Sequence, residues 1–212
     1  MSPVSFEIVG ARAEEYAAVP TLMLRLRITS ADSLPVHALA LRCQIMIEPK
    51  RRHYGHDEEV RLNELFGDPP RWGDTLKPFL WINVAMTVPG FNATTEVDLP
   101  IACTYDFEIA SAKYMHALDD GEIPIVAMFS GTVFGKSAAG LNAMPVSWSE
   151  ESSYRVPVAL WREMMDMYFP NSAWLRLGRR TLDSLQRYKV ARTLRTWDET
   201  FELLLKEAGE DS

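Results

Sequence analysis

The sequence predicts an α+β fold, in which an antiparallel, sandwich-like β domain is followed by a helical layer. Two segments, LMLRLRI (22–28) and ALALRCQIMI (38–47), alternate in the manner of strands with one buried side. Pro and Gly mark the connections, and the βα alternation of a doubly wound sheet is missing. After about residue 155 the apolar period becomes helical. We therefore expect a β-rich domain at 1–154 and a helical C-terminal segment, 155–212, packed on it.

Several strands and two short helices make up the predicted β domain. The two alternating segments are joined by Ser-Ala-Asp-Ser-Leu-Pro, which predicts an antiparallel pair. Three further strands are predicted at 79–88, 94–103 and 123–134. The first and last of these show little polar alternation, which is typical of strands covered on both sides. Short helices are predicted near 57–66 and 108–118.

The C-terminal quarter carries the start and stop signals of helices. The segment VALWREMMDMYF stops at Pro170, whose ring and missing N–H break a helix. TLDSLQRYKVAR and TWDETFELLLKEAG follow, with Thr181 and Thr196 as predicted N-caps. Asp183 and Asp198 then lie in first turns, where the helix dipole favours negative charge.

Composition narrows the classes of function. The chain has 212 residues and a formal net charge of −7, which argues against a nucleic-acid partner. Its two cysteines, Cys43 and Cys103, form no C-x-x-C pair, and Cys43 lies in register with aliphatic core positions. No basic leader precedes an apolar run, and the apolar windows are far shorter than a membrane span. We therefore expect a cytoplasmic protein without a membrane span or a cofactor.

The stretch RRHYGHDEE, residues 51–59, raises the question of a metal site. His53 and His56 have the H-x-x-H spacing, and neutral imidazoles are good ligands for zinc or nickel. The alternative interpretation is a helix start, with Asp57 as N-cap and Val60, Leu62, Leu65 and Phe66 as an apolar stripe. No third His or Cys is close in sequence, so the helix start is favoured and the histidines stay weak metal candidates.

Catalytic motifs are missing from the sequence. FSGTVFG departs from G-x-S-x-G, and its Gly131 is better explained by a bulge or a close backbone approach. GKSAAG (135–140) lacks the first glycine of a phosphate-binding loop and reads as a loop between strands. Asp106, Glu108 and His116 leave open an enzyme with an unrecognised carboxylate site, which is the weakest alternative.

Charge is unevenly distributed along the chain. Residues 155–195 contain nine basic and three acidic residues, a net charge of +6, and eight of the nine are arginines. Arginine binds carboxylates bidentately, which favours an acidic partner. If 176–190 were one helix, Arg176, Arg180 and Arg187 would share a face, although Gly178 interrupts it. A solvated surface balanced by the acidic β domain is the alternative.

Six strings together resemble a known family: ELFG-x-P-x-RWG-x-TL-x-P, VDLP-x-x-CTYDFE, SAKYMHAL, DGE-x-P, FSGTVF and WREMMD-x-x-FPNSAWLRL. They span roughly residues 6 to 207 and resemble an uncharacterised bacterial protein family of unknown function, whose members tend to be encoded near uptake NiFe-hydrogenase genes. No catalytic residues are assigned to that family. The resemblance implies an accessory, assembly or binding role beside a redox enzyme, and His at position 56 is not typical of it.

These observations favour a non-enzymatic binding or assembly protein. Its partner would be an acidic protein, such as a hydrogenase subunit or maturation factor, which docks on Arg176, Arg180 and Arg187. A metal-handling protein that uses His53 and His56 is the second hypothesis. Ten methionines and exposed sheet edges leave room for a homodimer, whose interface the sequence does not define.

Overall fold

The computed structural model describes residues 2–31, 35–104, 109–137, 140–170, 172 and 175–210. Within these ranges the chain forms strands and helices in two compact units, residues 1–174 and 175–212. The strands are β1 (Val4–Ala13), β2 (Thr21–Ser30), β3 (Val36–Ile47), β4 (Phe79–Phe91), β5 (Thr94–Ala102), β6 (Glu122–Ser137), β7 (Gly140–Pro145) and β8 (Glu151–Pro157). The helices are α1 (His56–Phe66), α2 (Trp72–Thr75), α3 (Ala110–Ala117), α4 (Val158–Tyr168), α5 (Arg179–Ala191) and α6 (Trp197–Ala208).

Two antiparallel sheets form the β part of the first unit. Sheet A has the strand order β1-β2-β5, and sheet B has the order β4-β3-β6-β7, with β8 also paired to β6. Their inner faces meet in one apolar core, where the rings of Phe6 and Phe129 stack with centroids 4.3 Å apart. The predicted α+β class with sandwich-like sheets is confirmed.

The predicted pairing of the two alternating segments is wrong. Strand β2 pairs with β1 and β5 in sheet A, whereas β3 pairs with β4 and β6 in sheet B. The chain between them therefore crosses from one sheet to the other instead of making a hairpin. Alternation in both strands reflects burial against the same core from opposite sides, because a sandwich buries one face of each sheet.

Strands β4 and β6 are also less covered than their composition predicts. Residues on their outer side, such as Asn83, Ala85 and Ser130, are exposed in the described structure. Their apolar character comes from inward residues such as Val88 and Phe129, together with small uncharged residues outside. Sheet B therefore has one buried face and one open face.

Helices α1, α3 and α4 of the first unit contribute apolar side chains to the core. Tyr114 of α3 and Leu62 of α1 are fully buried, as are Val158 and Met164 of α4. The Tyr168 hydroxyl donates to Glu14 O (2.7 Å) and accepts from Ala17 N–H (2.9 Å), which fastens the end of α4 to the β1–β2 connection. Helix α4 thus belongs to the sandwich unit, although the sequence predicted the change of domain near residue 155.

The second unit contains α5 and α6. The N-cap of α6 is Thr196, whose Oγ1 accepts from Glu199 N–H (3.1 Å), as predicted. The predicted cap at Thr181 is wrong, because α5 begins at Arg179 with Gly178 as its N-cap, and Asp183 therefore lies beyond the first turn where it was predicted. Among the described residues of the whole chain, no helix is both long and apolar enough to cross a membrane.

The segment Gly135-Lys136-Ser137 belongs to the end of β6 instead of a loop. It pairs with Asn142, Leu141 and Gly140 of β7, so the backbone is extended and unlike a phosphate-binding loop. Residues 138 and 139 lie outside the described residues. Gly131, by contrast, has the predicted close approach: its φ is 147°, and a Cβ there would lie 2.0 Å from Ala40 O.

Candidate functional site

The histidine pair of residues 51–59 lies at the surface. His53 precedes α1 and His56 is its first residue, and both side chains are exposed. Across the described ranges, no group of three or more His, Cys, Asp or Glu side chains is arranged to hold a metal ion. The helix start predicted here is present, but its N-cap is Gly55 and not Asp57. Val60, predicted to be in the apolar stripe, is 63% exposed.

The same stretch contains a buried ion pair that the sequence did not reveal. Arg52 Nη2 lies 2.7 Å from Glu58 Oε1, and the two side chains are only 8% and 5% exposed. The carboxylate also accepts from the backbone N–H groups of Gly55 (3.0 Å) and Asp119 (2.9 Å). Glu58 therefore joins the start of α1 to the residues that follow α3.

The guanidinium of Arg52 is equally well satisfied. It donates to the carbonyl oxygens of Asp120 (3.3 Å) and Glu122 (3.4 Å), and it lies 5.0 Å from the ring centroid of Tyr54. A buried charge is tolerated when it is paired and its remaining donors are bonded. The pair thus organises three chain segments around one buried contact.

Tyr54 and Tyr114 extend this network into the core. Their hydroxyl oxygens lie 2.8 Å apart, and the Tyr54 hydroxyl also contacts Pro49 O at 2.6 Å. Desolvation raises the pKa of Tyr54 well above its usual range, and burial raises the pKa of Tyr114 to about 12. Both hydroxyls therefore stay protonated at neutral pH, which suits a structural hydrogen bond more than acid–base chemistry.

His116, the histidine of the carboxylate-site hypothesis, lines a depression of about 230 Å³ with Trp161, Arg162, Met165 and Asp166. Its ring meets the Trp161 ring edge-on at 4.7 Å. Desolvation and the nearby Arg162 guanidinium lower the pKa of His116 to about 4, so the imidazole is neutral at pH 7. Asp106 and Glu108 lie outside the described residues, so the carboxylate-site hypothesis stays a prediction. Among the described residues, Asp166 is the carboxylate that lines this depression.

Both cysteines are buried thiols. Cys43 is on the inner face of β3, as its register predicted, and Cys103 follows β5. Desolvation raises the pKa of each thiol to about 12. Because the thiolate is the reactive form, neither cysteine is placed to act as a nucleophile.

The predicted arginine cluster is divided by the start of α5. Arg180 and Arg187 lie on α5 seven residues apart, about two turns, while Arg176 precedes the N-cap Gly178. All three side chains are exposed. Arg179, the first residue of α5, is a fourth exposed arginine of this group. It was not singled out from the sequence. We call Arg176, Arg179, Arg180 and Arg187 the α5 arginines.

Carboxylates do not neutralise the α5 arginines within the described part of the helical unit. Glu207 is engaged by Arg192 and the Tyr188 hydroxyl, and Glu199 caps the start of α6. Arg187 donates only to Ser184 Oγ, at 3.1 Å. The first turn of α5 contains no acidic residue, and its N-cap glycine offers no side-chain acceptor. Arg176, Arg179 and Arg180 therefore lie at a helix end whose dipole is already positive.

Apolar side chains near these arginines are also incompletely covered. In the described residues of the helical unit, only Thr200 is fully buried. Leu175, Leu182 and Val190 are 66%, 39% and 71% exposed. Exposed apolar side chains next to positive charge are typical of surfaces that bind other proteins.

Comparison with known proteins adds a family and little else. The whole chain, residues 1–212, matches the sequence model described as "Family of unknown function (DUF6084)". A search of curated proteins found no match. Among solved structures, the chain is similar to the Se-Met-labelled β-glucosidase from Kluyveromyces marxianus at 9% identity. That match covers 73% of this chain and 15% of the enzyme, and its TM-score of 0.26 is too low to support any inference.

Proposed function

From the premise that this chain belongs to the family of unknown function DUF6084, we propose that it is a non-enzymatic binding or assembly protein. Its α5 arginines dock an acidic surface of a partner protein. We further propose that it acts in the cytoplasm and that the partner is a subunit or maturation factor of a NiFe-hydrogenase or a similar redox enzyme. One observation carries the docking surface: four exposed arginines have no carboxylate partner in the described helical unit.

The arrangement favours binding over stability. Positive side chains in the first turn of a helix oppose its dipole, and each such contact costs about 0.3–1 kcal/mol. The outward arginines of sheet A, by contrast, are paired with carboxylates, as Arg27 is with Glu96 at 3.0 Å. A carboxylate-bearing partner would remove the repulsion at α5 and form bidentate hydrogen bonds with the guanidinium groups.

Sequence-independent binding to nucleic acid is a poorer explanation for the same arginines. The chain has a net charge of −7, and α6 beside α5 adds Asp198, Glu199, Glu202 and Glu207. A polyanion would be repelled by this surface at long range, whereas a folded partner can place single carboxylates on single arginines. Acidic protein surface is therefore the proposed ligand.

The test replaces Arg176, Arg180 and Arg187 by Gln in the full chain. The variant and the natural protein are tagged, captured gently from the native host and compared by quantitative mass spectrometry. Loss of a desolvated charge pair weakens binding by about 10-fold or more, so a partner present in proportion should fall by that amount. Circular dichroism checks that the helices are retained.

The matched control replaces three exposed arginines of the sandwich unit, Arg51, Arg71 and Arg155, by Gln. Both triple variants change the formal charge equally, so a loss confined to the α5 variant assigns docking to α5. Equal loss in both variants would indicate nonspecific charge attraction. Unchanged capture by the α5 variant, or no companion protein with the natural chain, would contradict the proposal. Hydrogenase subunits or maturation factors among the proportional partners would identify the redox enzyme.

A further inference from the structure

The helical unit buries too little of its apolar surface to account for its own stability. Its helices α5 and α6 have 13 and 12 residues, and helices of that length are marginal in water unless they pack against something. Within its described part only Thr200 is buried. Units below about 40 residues usually rely on cross-links or oligomerisation, and this one contains no cysteine. A further contact is therefore needed to cover these helices.

One side of α5 combines exposed apolar residues with a positive charge. Arg179, Leu182, Gln186 and Val190 follow one another at spacings of three, four and four residues, which return to the same side of a helix. All four side chains are exposed, Leu182 by 39% and Val190 by 71%. No ion pair or hydrogen bond joins the Arg179 side chain to another residue that the structure describes. We call these four residues the basic face of α5.

One side of α6 has the same design with negative charge. Asp198, Phe201, Glu202 and Leu205 lie at positions i, i+3, i+4 and i+7 and so share a side of the helix. Leu205 is 49% exposed, and Phe201 is half-buried. Both carboxylates are exposed, and neither has an ion pair or a hydrogen bond with the rest of the described chain. We call these four residues the acidic face of α6.

The two faces adjoin on one side of the helical unit. Lys189 lies two turns after Leu182 on the same side of α5, and its Nζ is 5.4 Å from the ring centroid of Trp197. The Trp197 ring lies 6.2 Å from the ring of Phe201, one turn further along α6. The side of the unit that exposes these apolar residues is therefore basic in one half and acidic in the other.

The charge of the whole unit is divided in the same way. Residues 175–195 contain seven basic residues and one acidic residue, whereas residues 196–210 contain five acidic residues and one basic residue. Their formal charges are thus +6 and −4. A surface with adjoining halves of opposite sign is complementary to a second copy of itself related by a two-fold axis, since each half then meets the opposite half.

We propose that the chain forms a two-fold dimer through its helical unit, in which the basic face of α5 in each copy covers the acidic face of α6 in the other. The dimer buries Leu182, Val190 and Leu205, which are exposed in the single chain. It also gives Arg179 the carboxylates of the second copy's acidic face. This contact goes beyond the proposed function and does not depend on it.

Other occupants cover only half of this surface. A nucleic acid would be attracted by the basic face and repelled by the acidic one, and an acidic protein would leave the carboxylates of α6 facing like charge. A second copy satisfies both faces with one kind of contact made twice. Arg180 and Arg187 lie about 100° around α5 from the centre of the basic face, so they stay outside the dimer contact.

Sedimentation of the full chain at about 1–100 μM tests the dimer, because weak to moderate interfaces dissociate in that range. We expect a dimer that dissociates on dilution. Leu182→Ser combined with Leu205→Ser should raise its dissociation constant by about 10-fold or more, since two apolar contacts are lost twice. The matched control is Val60→Ser combined with Leu80→Ser, which changes two exposed apolar residues of the sandwich unit and should alter the constant by less than about 2-fold.

Charge exchange tests the pairing of the two faces. Arg179→Glu and Glu202→Arg should each weaken the dimer by about 10-fold or more, because each places like charges together in both contacts. Mixing the two variants should restore association, since both contacts of the mixed dimer then join opposite charges. Arg187→Glu, on another side of α5, should change the dissociation constant by less than about 2-fold. Circular dichroism checks that each variant retains its helices.

Three results would overturn the proposal. The natural chain could remain a monomer at every concentration. A dimer that Leu182→Ser with Leu205→Ser leaves unchanged would have its contact elsewhere, and a mixture of the two charge variants that stays monomeric would exclude the pairing of basic and acidic faces. Capture of an acidic partner is tested separately, by variants at Arg176, Arg180 and Arg187, so either idea can fail while the other stands.

Discussion

At the scale of single residues, the residues of RRHYGHDEE that organise the fold are Arg52, Tyr54 and Glu58. The two histidines stand out in the sequence because only four exist and two are close together. The buried contact between Arg52 and Glu58 depends on Asp119, Asp120 and Glu122, which are more than 60 positions away. A spacing rule cannot identify such a pair, because folding alone brings its other partners into reach.

Replacing Glu58 by Gln should destabilise the protein strongly. The variant leaves the Arg52 guanidinium buried without a counter-charge, and breaking a buried ion pair from one side costs about 3–5 kcal/mol. The measurement is the free energy of unfolding from urea titration at pH 7. Glu59→Gln is the matched control, since it removes a first-turn charge of the same helix and should cost under about 1 kcal/mol.

A Glu58→Gln loss no larger than that of Glu59→Gln would contradict the structural role of the pair. The double variant Arg52→Met, Glu58→Gln supplies a further check, because it removes both charges. If the cost comes from the unpaired arginine, the double variant should be more stable than Glu58→Gln alone.

At the scale of elements, local signals predicted the helices better than the strand partners. Thr196 was correctly predicted as an N-cap, and the structure adds that Glu199, three residues later, completes a capping box with it. Thr181 carries the same residue type but lies inside α5, whose start at Arg179 follows a glycine without a side-chain cap. The pairing of β2 with β3 was wrong because a six-residue connection serves a hairpin and a crossing between sheets equally well.

Strand β6 shows a further feature that only the pairing reveals. Its first half pairs with β8 up to Met128, and its second half pairs with β7 from Thr132 onward. Gly131 lies at this exchange of partners, with a φ of 147° and no room for a Cβ against Ala40 O. The glycine thus lets β3 and β6 approach where the sheet divides.

Gly131→Ala should therefore cost at least about 2 kcal/mol of unfolding free energy, from backbone strain together with the steric contact. Gly135→Ala, in the same strand, is the control, because a Cβ there would have its nearest neighbours at 3.8 Å. It should change stability by less than about 1 kcal/mol. Urea titrations of both variants give the two free energies of unfolding. Equal losses would show that the backbone near Gly131 and Ala40 can shift to accommodate a Cβ, which would contradict the prediction.

At the scale of the whole molecule, the sequence predicted a sandwich with helices because burial alternates along nearly every strand. It did not predict which outward charges have a counter-charge beside them, since that depends on which strands are neighbours. Arg25 and Arg42 occupy outward positions in alternating strands, yet only Arg25 has carboxylates beside it. The register, and not the alternation, therefore decides which outward arginines are paired.

The two cysteines can report on the sandwich as one cooperative unit. Cys43 is 2% and Cys103 is 8% exposed, and both belong to the shared apolar core of the two sheets. Desolvation raises the pKa of both thiols to about 12, so the folded protein holds them protonated and unreactive at pH 8. A disulfide-exchange reagent should label them only when the sandwich opens, which restores the pKa to about 8.5.

We expect Cys43 and Cys103 to be labelled at equal rates that rise together with added urea, because one core protects both. The measurement is labelling with excess 5,5′-dithiobis(2-nitrobenzoate) at pH 8, with the site of modification found by mass spectrometry. Cys43→Ala and Cys103→Ala variants separate the two signals. Faster labelling of Cys103 at low urea would show that the end of β5, at the edge of sheet A, opens before the core that holds Cys43, and the two sheets would then not unfold as one unit.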